Sequence, residues 1–526
     1  MSQPVGEKQP SVDIVSVETA PIQADVEKLG RARPAIFPSA LSEVAFCFSV
    51  MQSALMSDYL ISGFSTVLPA LSLSLDIPPE SRTWPSSVLS LVAGALLLPV
   101  GRLTDMYGAY IVFNVGFVWF ALWSLAAGFT TSSTALIVCR AMEGVGASCI
   151  LPCGITLMGT VYRPGPRKNL VFAIYGATCP IGFFLGMFVG GMSEQWLSWR
   201  WYFWLGALIS ALSCITSLVS IPIDWAEARA RKLRMDWWGT CTTVPGLLLA
   251  VYAITDSNNA PNGWANPRIW ATFAVGVLFL AAAVYVEGWV AEMPLLPADI
   301  FKVRHMSRMI LCLFVIYGVF GIYLFYANFY LELVLGLSPL RTALWFAPWA
   351  VGGLILASTS GFIMHLVPGK LLLIFCGVCK LVAVLLFALM PKNPNYWAWV
   401  FPAMVAETAC VDVIYTVSNV FITTNLPSHR QGLAGSLISC TLFLGICVFL
   451  GIADLGVGST GHLGLAGSYK VAFWIGVGFA AAALIMLATI DLGEAKSDLT
   501  ADEKMGLSST SEVNMSDVAS ESPGIL

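Results

Sequence analysis

A chain of 526 residues that is 57% hydrophobic and 11% charged, with mean hydropathy +0.78, falls outside the soluble globular class, where roughly 25% of residues are charged. A formal net charge of −4, without a long basic block, gives no footing for nucleic acid. All thirteen cysteines, from Cys47 to Cys447, lie in apolar runs, so no disulfide framework is expected. Cys376 and Cys379 read as small packing residues of one helix rather than as a metal or redox pair.

Residues 1–40 are polar and lack the short apolar core of a cleavable signal, which predicts a disordered cytosolic tail. Fourteen runs then follow that are long and apolar enough to span a bilayer: 44–66, 84–100, 109–128, 134–158, 170–191, 202–221, 237–254, 270–287, 308–331, 343–363, 371–390, 397–421, 434–453 and 471–490. The second is short, which leaves an extension into the following Gly101 stretch open. Residues 492–526, Ser-rich and acidic, predict a second disordered tail. An even number of spans puts both termini on one side. The loops after even-numbered spans hold about thirteen Lys and Arg, against about six after odd-numbered ones, so that side is cytosolic. The fold class is an all-α polytopic membrane protein.

Between spans two and three lies Gly101-Arg102-Leu103-Thr104-Asp105-Met106-Tyr107-Gly108, a polar knot that predicts a tight turn, with Asp105 capping the helix that follows. Gly361 to Lys370 joins spans ten and eleven in the same manner, with His365 in the carboxylate's place. If the two knots correspond, spans one to six match nine to fourteen. The boundaries become 41–222 for a first six-helix bundle, 223–304 for two inserted helices and 305–491 for a second bundle.

Ionisable residues at membrane depth are few. Asp58 lies in span one among serines and reads as a proton carrier or as a residue facing a vestibule. In span four, Glu143 stands one turn from Arg140 on the same face, an ion pair that is either structural or part of proton transfer. Counting from the turn between spans eleven and twelve puts Lys380 and Glu407 at similar depth, so an antiparallel pair would bring them together. Asp412, Tyr415 and Asn419 recur at helical spacing and give span twelve a polar face that reads as cavity lining. Tyr323 and Tyr326, in the tyrosine cluster of span nine, are candidates for stacking a bulky ligand. Span five carries Gly182, Gly186 and Gly190 four apart, followed by Gly191, a face on which another helix packs closely.

Several of these stretches resemble the major facilitator superfamily of secondary transporters. Gly101, Asp105 and Gly108 match that family's gating loop between helices two and three. Arg140 to Gly146 is similar to its fourth-helix motif, in which the arginine assists proton transfer. Gly176 to Gly191, with Ser198-Trp199-Arg200-Trp201, resembles the fifth-helix signature of drug:proton exporters, although Met187 stands where the family has proline. Fourteen spans and the wording of spans three to six look most like the fungal branch related to aminotriazole-resistance proteins. The resemblance implies the major facilitator fold and a monomeric plasma-membrane carrier with both termini cytosolic; a vacuolar or vesicular membrane stays open. It implies proton-coupled efflux of a small organic compound, a drug, toxin or secondary metabolite. The partners are then the cargo, protons and lipid, with a proton gradient and no cofactor. One alternative is an importer of a small solute such as ammonium or an organic acid. Another is a membrane-embedded enzyme, for which His305, His365, His429 and His462 offer no clustered ligand set and no phosphate-binding loop is present.

Overall fold

The computed structural model describes residues 32–78, 81–162, 166–224, 228–229, 233–257, 260, 263–426 and 431–492. Among these residues it is all helical, with fourteen helices long and apolar enough to cross a membrane. They are α1 Ala40–Ser74, α2 Trp84–Tyr107, α3 Ala109–Gly128, α4 Ser133–Val161, α5 Pro166–Met192, α6 Arg200–Ser220, α7 Trp237–Asp256 and α8 Pro267–Tyr285. The rest are α9 Met306–Phe329, α10 Ala347–Leu366, α11 Gly369–Ala388, α12 Phe401–Asn425, α13 Gln431–Ser459 and α14 Gly464–Ala488, with a short helix Pro339–Trp345 ahead of α10. Prolines lie inside several of them, among them Pro69, Pro99, Pro152 and Pro180. Neighbouring helices and hydroxyl side chains make up for the backbone bonds lost there.

The polar knot is not a loop. Helix α2 runs through Gly101 and Asp105 to Tyr107, and the whole reversal falls on Gly108. Its φ of 92° is open to glycine and strained for any residue with a Cβ. Nor does Asp105 cap α3. That cap comes from Asp224, beyond the far end of α6, whose Oδ2 accepts from the Ala109 N–H at 2.8 Å and whose Oδ1 accepts from the Tyr110 N–H at 3.2 Å. The carboxylate meets the positive end of the helix dipole and two otherwise orphaned donors. Asp224→Ala is therefore expected to destabilise the protein by about 0.5–2 kcal/mol, with Asp224→Asn milder. Thermal unfolding in detergent checks this, and equal midpoints for Asp224→Ala and wild type would count against the cap. The second knot turns in two residues, between Leu366 and Gly369; the side chain of His365 lies outside the described residues.

Helices α2 and α13 cross at the seam between the first six and the last six helices. A Cβ on Gly94 would meet Leu444, and one on Gly101 would come within 2.7 Å of the Ser436 hydroxyl. Helices α5 and α10 meet along the same seam, with Phe183 stacked on Trp349 at 4.5 Å. We call the side at which α1 begins and α14 ends the tail side. On the opposite, far side the seam is bridged by Asp454, which accepts from the Thr83 hydroxyl at 3.1 Å and from the Tyr326 hydroxyl at 3.3 Å. A Cβ added at Gly176 of α5 would meet nothing within 4 Å.

Helix α7 rests on α2 and α13, with Gly451 against Thr255. Helix α8 packs chiefly on α7, where Gly276 closes on the Ala250 backbone. The rest of α8 presents Trp270, Leu278 and Val284 outward, the apolar surface a lipid-facing helix needs. Arg102 ties this pair to the first six helices by donating to the carbonyls of Arg234 at 3.2 Å and Met293 at 3.4 Å.

Candidate functional site

The glycines of α5 serve two interfaces rather than one. Gly182, Gly186 and Gly190 press on α1: a Cβ on Gly186 would lie 2.7 Å from the Tyr59 carbonyl oxygen, and one on Gly190 2.8 Å from that of Gly63. Gly63 returns the contact, since its own Cβ would stand 2.5 Å from the Gly186 carbonyl. Gly191 points the other way and meets Leu340 and Pro339 at 3.0 Å. The α1 seam is reinforced by the Ser62 hydroxyl, which donates to the Phe183 carbonyl at 2.7 Å. On the α6 side, Tyr59 and Tyr202 stack at 5.0 Å and each donates to the other's carbonyl.

Four of the six expected charged residues form two sealed ion pairs. Arg140 donates to Glu143 at 2.7 Å, with side-chain exposures of 2% and 0%. Its guanidinium also lies 3.9 Å over the Phe64 ring and within 3.5 Å of the Leu60 carbonyl. Beside it is a cavity of about 20 Å³ lined by Ser65, Ser90, Gly321 and Ile446, room for one water with polar partners. The second pair is Lys380 with Glu407, on α11 and α12, and both side chains are fully enclosed. Neither pair is open to solvent in this conformation.

The remaining two carboxylates behave differently. Asp58 on α1 and Asp412 on α12 are both half-buried and lie within electrostatic reach of each other across the seam. The Cys179 thiol of α5 is within hydrogen-bonding reach of Asp58. Asp412 accepts from the Thr408 hydroxyl at 2.8 Å, and a Cβ on Gly353 would fall 2.9 Å from its Oδ2 and 2.6 Å from Pro180. Asp412 thus lies against α10 at Gly353, where Pro180 of α5 also packs. The Tyr317 hydroxyl, on a residue only 2% exposed, is within electrostatic reach of both carboxylates and has no hydrogen-bond partner among the described residues. Tyr415 and Asn419, one turn apart on α12, border the same region half-buried, and Asn419 donates to the Tyr415 carbonyl at 2.9 Å.

Tyr323 and Tyr326 do not line a cavity in this structure. Tyr323 sits between Phe387 and Trp349 with its hydroxyl on Met404, and Tyr326 packs at a tilt against Tyr469 while its hydroxyl reaches Asp454. From Val315 to Phe329 every residue of α9 is buried, so its tyrosine rings there belong to the core. Gly101 faces Ser436, whereas Asp105 and Gly108 border a separate cavity of about 480 Å³ at the tail side with Thr104, Arg167 and Asp224.

Sequence reasoning missed two further groupings. Glu43, at the start of α1, accepts from Arg167 through both oxygens at 2.7 and 2.5 Å, and from the Tyr162 hydroxyl at 3.0 Å. Burial raises the Tyr162 phenol, which stays a donor. These residues register only as flanking charges in a hydropathy scan. At the far side, Glu194 and Glu332, in the π-helical turns that end α5 and α9, lie within electrostatic reach of one another across the seam. The only sequence signal for them is a lone carboxylate near the end of an apolar run.

The family model described as Major Facilitator Superfamily matches residues 50–450. The efflux pump terJ of Aspergillus terreus is 30% identical, with 85% of this chain and 88% of that protein covered. In Saccharomyces cerevisiae, the low affinity ammonium transporter is 32% identical over 77% of this chain and 80% of its own length. The aminotriazole resistance protein of the same yeast is 30% identical over 86% and 84%. Among solved structures, the nucleoside transporter NupG superposes with a TM-score of 0.55 at 14% identity, covering 84% of this chain and 97% of that one.

Proposed function

Because the chain belongs to the major facilitator superfamily of membrane transporters, we propose that it exports a small organic compound, a drug, toxin or secondary metabolite, across the plasma membrane in exchange for protons. The observation that carries this reading is that Asp58 and Asp412, one carboxylate from each half of the chain, lie half-buried within electrostatic reach of each other across the seam. Carboxylates at membrane depth, open to water and free of a fixed cationic partner, are suited to taking up and releasing protons. The sealed Arg140–Glu143 and Lys380–Glu407 pairs flank them as structural supports on either side of that seam. Residues 41–222 and 305–491 act as the two moving bundles, residues 223–304 as the inserted pair, and the carrier works as a monomer with both tails cytosolic. The fungal efflux pump and the aminotriazole resistance protein among its relatives support the outward direction.

Inside-out vesicles with an acidified lumen test the proposal. Labelled aminotriazole is expected to accumulate above the level of vesicles lacking the protein, and a protonophore should abolish the difference. Asp58→Asn and Asp412→Asn are each expected to remove the gradient-driven component. Accumulation indifferent to the protonophore would refute the coupling. The ammonium transporter among the relatives favours a second reading, import of a small solute. Uptake of methylammonium by whole cells, with no aminotriazole accumulation in inside-out vesicles, would establish that alternative.

A further inference from the structure

The inserted pair α7 and α8 meets α2 at its tail-side foot, and two carboxylates face each other there. Asp236, only 8% exposed, is the N-cap of α7, and its Oδ1 accepts from the Gly239 N–H at 2.8 Å. Glu287 is half-buried in the π-helical turn Val286–Val290 that ends α8, and its Oε2 accepts from the Leu296 N–H at 3.1 Å. Each carboxylate therefore has one oxygen held by backbone and one left over. The two left over converge. A Cβ on Gly239 would stand 2.3 Å from Asp236 Oδ2 and 2.6 Å from Glu287 Oε1, so both oxygens crowd one point beside that residue. Asp236 Oδ2 is buried and has no hydrogen-bond partner among the described residues, a costly state for a carboxylate oxygen. Neither carboxylate is ion-paired among those residues. Arg102 of α2 is within electrostatic reach of Glu287, but its Nε and Nη2 bond the carbonyls of Arg234 and Met293. The other charged side chains of these connecting segments, Arg234 and Glu292, are exposed. One guanidinium against two carboxylates leaves a negative charge over, and carboxylates this close do not both ionise cheaply.

We propose that Asp236 and Glu287 share one proton, which bonds Oδ2 to Oε1 and makes the foot of the inserted pair a joint that responds to pH on the tail side. With the proton in place, the start of α7 and the end of α8 are tied side chain to side chain, and Arg102 fastens the flanking backbone to α2. Loss of the proton sets two negative charges against each other at one point, and the joint loosens. Gly101, the residue before Arg102, faces Ser436 of α13, so the joint lies next to the place where α2 crosses the seam. Helix α7 rests on both α2 and α13, and a looser foot braces that crossing less firmly. The joint is independent of what the carrier moves and in which direction.

Infrared spectroscopy of the purified full-length protein at about pH 7, well above the ordinary carboxylate range of about 4, reads the proton directly. The carbonyl stretch of a protonated carboxyl is expected in the wild type and is expected to be lost in both Glu287→Gln and Asp236→Asn, because a shared proton needs both partners. Subtracting each variant's spectrum from that of the wild type cancels the bands of all other carboxyls. Asparagine caps a helix about as well as aspartate, and glutamine keeps an acceptor for the Leu296 N–H, so both variants are expected to fold. Asp236→Ser, which also supplies a capping oxygen, replaces Asp236→Asn if that variant does not. Thermal unfolding in detergent gives a second reading. The native pair keeps a proton that the unfolded chain releases above about pH 4, so stability falls as pH rises from there until the pair ionises. Over that range the wild-type folding constant is expected to drop about tenfold per pH unit relative to that of Glu287→Gln, seen as a widening gap between their unfolding midpoints. A band that is missing from the wild type, or that survives in the Asp236 variant, overturns the proposal. So does a gap between the wild-type and Glu287→Gln midpoints that stays constant with pH.

Discussion

Lys380→Met is expected to destabilise the protein by about 3–5 kcal/mol, because it strands the Glu407 carboxylate in a fully enclosed space between α11 and α12. Glu407→Gln strands the ammonium instead and is expected to do comparable harm. Nearby relief is slight: beyond Glu407, the Lys380 nitrogen has the Phe320 ring as an electrostatic partner, but at 5.7 Å. The double variant Lys380→Met/Glu407→Met is expected to regain most of the loss, since replacing both members of a buried pair by apolar side chains of similar volume is often neutral. Thermal unfolding and size-exclusion profiles in detergent give the three values. A Lys380→Met protein as stable as wild type would show that the pair contributes nothing. Transport by the double variant then separates two roles, because a purely structural bridge predicts retained activity and a coupling element predicts none.

That pair was legible from sequence because its geometry is local. Two helices joined by a short turn are antiparallel, so equal counts from the turn mean equal depth, and the rarity of charge in lipid singles out the partners. Arg140 and Glu143 were legible for the same reason, being three residues apart on one helix. The fourteen helices were legible because each must be apolar over about twenty residues. What could not be read was contact between distant segments. The cap on α3 comes from Asp224, 115 residues after the N–H it satisfies, and Glu43 meets Arg167 across 124. Nothing in either stretch announces the other. Asp58 and Asp412 were each visible as odd charges, but their facing one another depends on how the two ends of the chain dock. The surroundings of Tyr323 and Tyr326 were hidden for another reason. On a helix apolar all round, a ring against the core and a ring against a cavity give the same pattern, and only the neighbours Phe387, Trp349 and Tyr469 decide.

The α1–α5 seam supports the second large effect. Gly186→Val is expected to abolish transport and to lower the unfolding midpoint well below that of Gly186→Ala, which itself is expected to cost about 1–3 kcal/mol. The Cβ that alanine adds would stand 2.6 Å from the Ser62 hydroxyl and 2.7 Å from the Tyr59 carbonyl oxygen. The hydroxyl can swing aside at the expense of its bond to Phe183, but the carbonyl belongs to the backbone of α1, so the helix itself must move. Helix α1 carries Asp58 one residue before Tyr59, and a displacement there takes the carboxylate out of register with Asp412 on the other side of the seam. Gly176→Ala is the control on the same helix. With nothing within 4 Å of the added methyl, it is expected to leave transport intact and to stabilise the helix by about 0.5–1 kcal/mol. Thermal unfolding of the three variants beside the vesicle assay supplies the comparison. Were Gly186→Val to unfold and transport like Gly176→Ala, the close approach of α1 and α5 would carry no function. The placing of Asp58 against Asp412 would then need another cause.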